Sequence, residues 1–297
     1  MFDFRLQVFQ TVARRLNFTK AAAELYITQP AVTKHIHELE REFRVKLFDR
    51  SGSRIKITAA GKILLHHVEQ IFAMYRNMEF EMNQLSQKHE GKLRLGASTT
   101  IAQYVLSPVL AGFHQKFSDV QITLTTGNTE EIENALKNNE IDLGIIEGHS
   151  KNSSIKYSEF IKDEIVLVTS VSNPLAKKGM IQIKDLKNIP LLMREPGSGT
   201  LEVIAHELKK IGLNLHDLKI EMQLASTESM KSYLFHSGCM AFLSVHSILS
   251  ELKRNELQII DIKGMNIERF FYFIQLHGQS DALPELFMKF ASRYNFR

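Results

Sequence analysis

Two sets of residues have types and spacings that could do chemistry. The first is Thr28, Gln29, Pro30, Thr33, Lys34 and His37. At helical spacing Gln29, Thr33, Lys34 and His37 fall on one outward face, so an amide, a hydroxyl, an ammonium and an imidazole present together. Such groups suit base edges and phosphates in a major groove. Thr28 is placed to cap that helix, and Pro30 sits in its first turn, where a missing N–H costs nothing. The second set is rich in hydroxyls and lies at four junctions between a predicted strand and a predicted helix: Ser98-Thr99-Thr100, Gly127-Asn128, Ser198-Gly199-Thr200 and Ser226-Thr227. Ligands of open α/β sheets collect at the carboxyl ends of strands. Hydroxyls and free backbone N–H groups there suit a small anion. A plain N-cap explains any one of the four, and all four together favour a shared site. Glu147 follows the third predicted strand on the same side and would repel an anion unless it is protonated, paired or bonded to a donor. No arginine is clearly placed to clamp a carboxylate, Arg194 being near in sequence.

The elements that must position these residues can be read from periodicity. Phe18 to Leu25 is a short helix, Tyr26-Ile27 a turn, and a second helix runs from Thr28 to about Glu42 with Ala31, Val32, Ile36, Leu39 and Phe43 inward. Phe4, Leu6, Val8, Phe9 and Val12 supply a preceding helix. In residues 45–61, Ser51-Gly52-Ser53 turns between two short extended pieces, where Ile55 and Ile57 alternate with Arg54 and Lys56. Three helices and a basic ribbon make a winged helix-turn-helix. Residues 59–88 then form one helix in which Leu64, Val68, Ile71, Tyr75, Met78, Met82 and Leu85 are spaced alternately by four and three. That is a heptad seam, and the helix is roughly 45 Å long, too long to bury against one small domain. It predicts pairing with a partner helix. After the break at His89–Lys92, strands at 93–98, 120–126 and 141–146 alternate with helices at 102–117 (broken by Pro108) and 130–137. This order predicts a parallel sheet covered on both faces. Two extended runs follow within 155–170, then strands at 190–195, 219–226, 239–244, 257–262 and 269–275, with a closing helix at 284–295.

Composition agrees. Residues 1–60 carry 11 Lys+Arg against 6 Asp+Glu, while the remaining residues carry 26 against 27. The positive excess therefore sits in the N-terminal segment, as a polyanion-binding module requires. With 297 residues there is room for two or three domains with real cores. A single cysteine excludes an intramolecular disulfide and argues for a reducing compartment. No signal peptide is visible, and the uncharged runs 95–115 and 232–250 are too polar for membrane spans, so a cytoplasmic protein without membrane contact is expected. Catalysis finds little support. Cys239 opens an apolar strand, His35/His37 and His66/His67 lack metal spacing, and Gly197-Ser198-Gly199-Thr200 lacks the lysine of a phosphate-binding loop. No cofactor is expected, only a small-molecule effector.

The run AAAELYITQPAVTKHIHELE, the LFDR after it and the ITAAGKILL that opens the next helix closely resemble the LysR-type transcriptional regulators. The resemblance holds position by position over about sixty residues and more loosely over nearly the whole chain. It implies an α+β/α/β multidomain architecture: a DNA-binding head at 1–58, a linker and dimerisation helix at 59–88, and a periplasmic-binding-protein-like effector domain at 93–297. In that domain one lobe would hold 93–161 and 266–297, the other 162–265. The resemblance also implies that Gln29, Pro30, Thr33, Lys34 and His37 read double-stranded DNA and that Arg50, Ser53 and Arg54 serve the wing and backbone. The family usually has Ser at position 33 and rarely His at 37. The expected function is a dimer or tetramer on two-fold-related promoter DNA, responding to a small polar or anionic metabolite between the lobes, with RNA polymerase as a further partner. The alternative is a structural DNA-binding protein whose α/β domain only mediates oligomerisation.

Overall fold

The computed structural model describes residues 3–49, 55–85, 90–148, 152–278 and 281–295, apart from the side chain of residue 84. Arg50, Ser53 and Arg54 lie outside the described residues. The chain divides into two compact units, 1–79 and 80–297.

The first unit holds helices α1 (Phe4–Arg15), α2 (Phe18–Glu24) and α3 (Gln29–Phe43), the strands β1 (Phe48–Asp49) and β2 (Lys56–Ile57), and most of α4 (Ala59–Leu85). Each short helix has a local start signal. Asn17 accepts from Lys20 N to cap α2, and Thr28 accepts from Ala31 N to cap α3. Tyr26 takes a left-handed turn conformation (φ 55°) that lets the chain reverse between them. Val8, Phe9, Val12, Phe18, Ala21, Val32, Ile36, Leu39, Phe48 and Val68 form the core. β1 and β2 pair antiparallel, Phe48 opposite Ile57, as the two extended pieces predicted. Phe43 does not join the inner stripe. By its position α3 has outrun the core, and Arg44, at φ 55°, ends the helix.

The α4 seam divides. Val68 is buried in the head's own core with Leu64 packed beside it, so Val68 does not face a partner helix. Tyr75 is half-buried. Ile71, Met78, Met82 and Leu85 are exposed, together with Ile63 and Met74, which the heptad pattern did not include. The reason is position: the first turns of α4 lie against the head, whose core takes Val68 with Leu64, Leu65 and Phe72 beside it.

The second unit is built on a ten-stranded sheet. In chain order its strands are β3 (Gly91–Ser98), β4 (Val120–Gly127), β5 (Leu143–Glu147), β6 (Ile155–Ser170), β7 (Met180–Ile181), β8 (Leu191–Met193), β9 (Ile220–Gln223), β10 (Met240–Ser244), β11 (Leu257–Ile262) and β12 (Ile267–Leu276). The order across the sheet is β4-β3-β5-β12-β6-β10-β8-β9, with β11 and β7 attached to β6 off this path. The helices are α5 (Thr99–Ile101), α6 (Ser107–Lys116), α7 (Thr129–Lys137), α8 (Gly199–Lys210), α9 (Thr227–Phe235), α10 (Val245–Lys253) and α11 (Ala282–Ala291).

The sheet is parallel only within its two halves. β3 pairs parallel with β4 and β5, and β8 with β9 and β10. Between them β6 and β12 run antiparallel over most of their length. The two extended runs predicted within 155–170 are one 16-residue strand. A chain that builds one lobe, crosses to a second and returns needs two opposed crossing strands, and these are they. Each half has cores on both faces. Leu93, Leu95, Phe113, Phe271 and Phe287 fill one face of the first half, and Ile132, Ile146 and Ile274 the other. Leu167, Leu191, Val203 and Phe242 fill one face of the second half, with Val168, Leu192, Met230 and Leu243 opposite.

Two local readings differ from the sequence expectation. α5 passes into a π turn over Ala102–Leu106 and only then into α6, with Pro108 in its first turn. The break in the predicted helix is therefore a widened turn, not a kink at proline. α10 was not anticipated, because its buried face mixes Ser247 and Glu251 with Ile248 and blurs the apolar stripe.

Candidate functional site

In the first unit the predicted reading face is intact along α3. Gln29, Pro30, Lys34 and His37 are exposed and Thr33 is half-buried. Gln29 Nε2 donates to Thr33 Oγ1 at 2.8 Å, which orients the amide along the helix. Lys34 Nζ lies 4.0 Å from Glu38 and is otherwise in solvent, available to a phosphate. His37 Nδ1 is 3.3 Å from the buried carboxylate of Glu40. Glu40 was not anticipated. It accepts from Leu47 N (2.9 Å) and Lys46 Nζ (3.0 Å), tying the end of α3 to the start of the ribbon. Burial pushes its carboxyl up, but the bonds from Lys46 and Leu47 outweigh this and hold it below the usual carboxylate range.

In the second unit, three of the four hydroxyl-rich junctions meet. β3 and β5 are parallel neighbours, so Ser98 and Glu147 reach the same edge of the sheet. Glu147, buried, accepts from Ser98 Oγ (2.9 Å) and Thr100 Oγ1 (3.3 Å) of the first lobe and from Thr200 Oγ1 (2.9 Å) of the second. Thr99 Oγ1 donates to Gly127 O, and Thr129 Oγ1 to Glu147 O. Asn128 caps α7 with a full capping box and also reaches Pro196 O, while Glu130 N donates to Gly197 O. The loop before α8 thus packs onto the ends of β4 and β5. Gly199 is required there, since an added Cβ would strike the Glu147 carbonyl and Thr129 Oγ1. The fourth junction behaves differently. Ser226 accepts from Ser229 N and caps α9, as a plain N-cap would.

The arginine that sequence could not place is Arg269, on β12. Its Nε donates to Asp163 (2.7 Å), its register partner on β6, and its Nη1 to Thr200 Oγ1 (2.9 Å). Nη1 also lies 3.8 Å from Glu147, and the guanidinium sits over the Phe271 ring. Ser244 Oγ completes the second carboxylate, donating to Asp163 at 2.7 Å. Arg194, the nearer candidate by sequence, is instead paired with its neighbour Glu195. A faint signal for Arg269 did exist: a charge on the same strand face as Phe271 and Phe273 is a charge in the interior. Tyr104, carried by the π turn, donates its hydroxyl to Glu228 of α9 and bridges the lobes. Burial first and Glu228 second push the Tyr104 phenol well above its ordinary range.

Comparison with known proteins agrees with this arrangement. The model of the bacterial regulatory helix-turn-helix protein, lysR family, matches residues 4–62, and that of the LysR substrate binding domain matches residues 86–294. The chain belongs to the LysR family of transcriptional regulators. It is a DNA-binding transcription regulator with an effector-binding domain, in a family that is not enzymatic. Among LysR relatives, the HTH-type transcriptional regulator CysL of Bacillus subtilis (strain 168) is 31% identical over 269 residues, covering 91% of this chain and 89% of that one. The Synechocystis PCC6803 CcmR regulatory domain, solved in complex with 2-PG, is 29% identical with a TM-score of 0.62, covering 68% of this chain and 95% of that one. Full-length CbnR, solved with its target DNA, shares the fold (TM-score 0.67, 19% identical, 99% of each chain). Among the described residues no helix is long and apolar enough to cross a membrane.

Proposed function

We propose that this LysR-type regulator acts as a homodimer or homotetramer in the cytoplasm, binding two-fold-related promoter DNA and working with RNA polymerase. Gln29, Thr33, Lys34 and His37 meet the major groove, with Thr28 and Pro30 fixing the start of the helix. Arg50, Ser53 and Arg54 serve the wing. A second copy pairs along the exposed part of α4, through Ile71, Met78, Met82 and Leu85. Exposed apolar residues in register along a long helix support that pairing. The domain boundaries proposed are 1–58, 59–88 and 93–297.

A small polar or anionic metabolite is the proposed effector, held by residues from Ser98–Thr100, Gly127–Asn128, Glu147 and Ser198–Thr200, with Ser226–Thr227 at the rim. The observation that carries this reading is the convergence of Ser98 and Thr100 from one lobe and Thr200 from the other on one carboxylate. A ligand there necessarily touches both lobes. It can shift their arrangement only by binding one arrangement more tightly. The CcmR domain solved with 2-PG supports a metabolite as the signal. DNA footprinting of the full chain, with and without a deproteinised small-molecule extract of cells, tests the proposal. A footprint that changes in extent or gains hypersensitive positions supports it. An unchanged footprint supports a protein whose α/β domain only assembles oligomers.

A further inference from the structure

The chemistry of the effector follows from where the protons of the cleft are committed, provided the effector reading above holds. An ionised carboxylate only accepts, and a hydroxyl has one proton to give. Ser98, Thr100 and Thr200 all donate to Glu147, while Thr99 and Thr129 donate to backbone carbonyls. These five hydroxyls are therefore not anion donors. Toward a ligand they present lone pairs, as does the remaining acceptor position on Glu147. Two buried polar atoms of the cleft are left over: among the described residues Arg269 Nη2 and Ser198 Oγ have no hydrogen-bond partner. Both residues are almost wholly buried, and leaving such groups unpaired is costly. Both residues lie by the start of α8. Ser198 is the N-cap of the 12-residue α8 and makes no capping bond, while Arg269 reaches Thr200, two residues further on, through Nη1. Charge narrows the choice further. Among the described residues Glu147 and Asp163 share one guanidinium, that of Arg269, with His246 4.0 Å from Asp163, and Arg194 is matched by Glu195. Two buried carboxylates facing one guanidinium leave the cluster short of positive charge, so a doubly charged oxyanion would be repelled.

We propose that the cleft selects a small monocarboxylic acid carrying a hydroxyl or ammonium donor next to its carboxylate. The carboxylate engages Arg269 Nη2, Ser198 Oγ and the first turn of α8. The adjacent donor lies against the acceptor shelf of Glu147 and its hydroxyls. Glu147 thus sets specificity by turning a row of hydroxyls from donors into acceptors.

The test uses the full-length protein with four probes at equal ionic strength: glycolate, glycine, acetate and sulfate, followed by thermal shift and calorimetry. Glycolate or glycine should bind saturably and raise the melting temperature, with acetate about tenfold weaker and sulfate silent. Which of the first two wins distinguishes a hydroxy acid from an amino acid. S198A should weaken the binding probe about tenfold without lowering the melting temperature of the free protein, because its hydroxyl bonds nothing among the described residues. E147Q frees hydroxyl protons and should gain sulfate binding that the parent lacks. Sulfate binding the parent as tightly as glycolate, an unchanged affinity in S198A, or no binding by any probe up to about 10 mM would each overturn the proposal. A footprint that still responds to cell extract would then leave effector control standing with a ligand of other chemistry.

Discussion

The reading face of α3 and the cleft of the second unit both gather polar side chains, but they do so in opposite ways. On α3 the functional groups come from one continuous helix, stand in solvent and make few bonds within the protein. In the cleft Ser98, Glu147, Asp163, Thr200, Ser244 and Arg269 come from six separate segments, are buried, and are bonded to one another. The difference teaches where stability and function are separable. An exposed face can change its chemistry without changing the fold, whereas a buried charge cluster is part of what holds the lobes together.

The sharpest way to break that contrast is Arg269→Ala. It removes the guanidinium that Asp163 and Glu147 share, and losing one member of a buried ion pair costs about 3–5 kcal/mol. Denaturant unfolding of the full chain should show a second-unit transition at clearly lower denaturant, with the first unit unaffected. A variant as stable as the parent would mean that the cluster is not a structural element. Next in size is Gly199→Ala. Its methyl has no room against the Glu147 carbonyl, so α8 must shift, at about 1–3 kcal/mol. A melting temperature unchanged from the parent would show that the loop before α8 can yield.

The same contrast explains what could be read in advance. The head was legible because its signals are local: Thr28 as cap, Pro30 in the first turn, and a stripe through Val32, Ile36 and Leu39 all lie within a few turns of helix. The hydroxyl junctions were legible for the same reason, each lying at a strand end with a helix after it. What could not be read was pairing across the sheet. Asp163 and Arg269 are far apart in sequence and become neighbours only because β6 and β12 run antiparallel in one register. Nor could sequence tell which hydroxyls would give their protons to Glu147. Val68 failed from the opposite cause: the local heptad pattern was sound, but the nearest apolar surface was the head's own core.

Glu40 joins the two kinds of site, being a buried carboxylate under an exposed reading helix. Its carboxyl is held below the ordinary glutamate range in the folded state. Its contribution is therefore present above the unfolded value and is lost as pH falls through the folded one. Glu40→Gln removes the charge that Lys46 and Leu47 N–H bond, and should destabilise the first unit by about 1 kcal/mol at neutral pH. The gap between variant and parent should narrow as pH falls below the unfolded glutamate value of about 4.3. A gap constant with pH would mean that shape, not charge, is what Glu40 supplies.

The smallest effect on folding should come from Lys34→Ala, and it sharpens the comparison most. Among the described residues Lys34 has only a 4.0 Å contact with Glu38, so stability should stay within about 0.5 kcal/mol of the parent. On DNA the outcome differs. A lysine that neutralises one phosphate releases about one counterion, so the slope of log affinity against log salt should become shallower by about 0.9. The weakening should be nearly equal for specific and random duplexes. Gln29→Ala, equally silent in folding, should instead lower discrimination at one base pair by about 1–3 kcal/mol with the salt slope unchanged. If the two variants behave alike in both measurements, the division of α3 into a base-reading amide and a phosphate-neutralising ammonium is wrong. In that case His37, also exposed on this helix but bonded to Glu40, becomes the residue to examine for base contact.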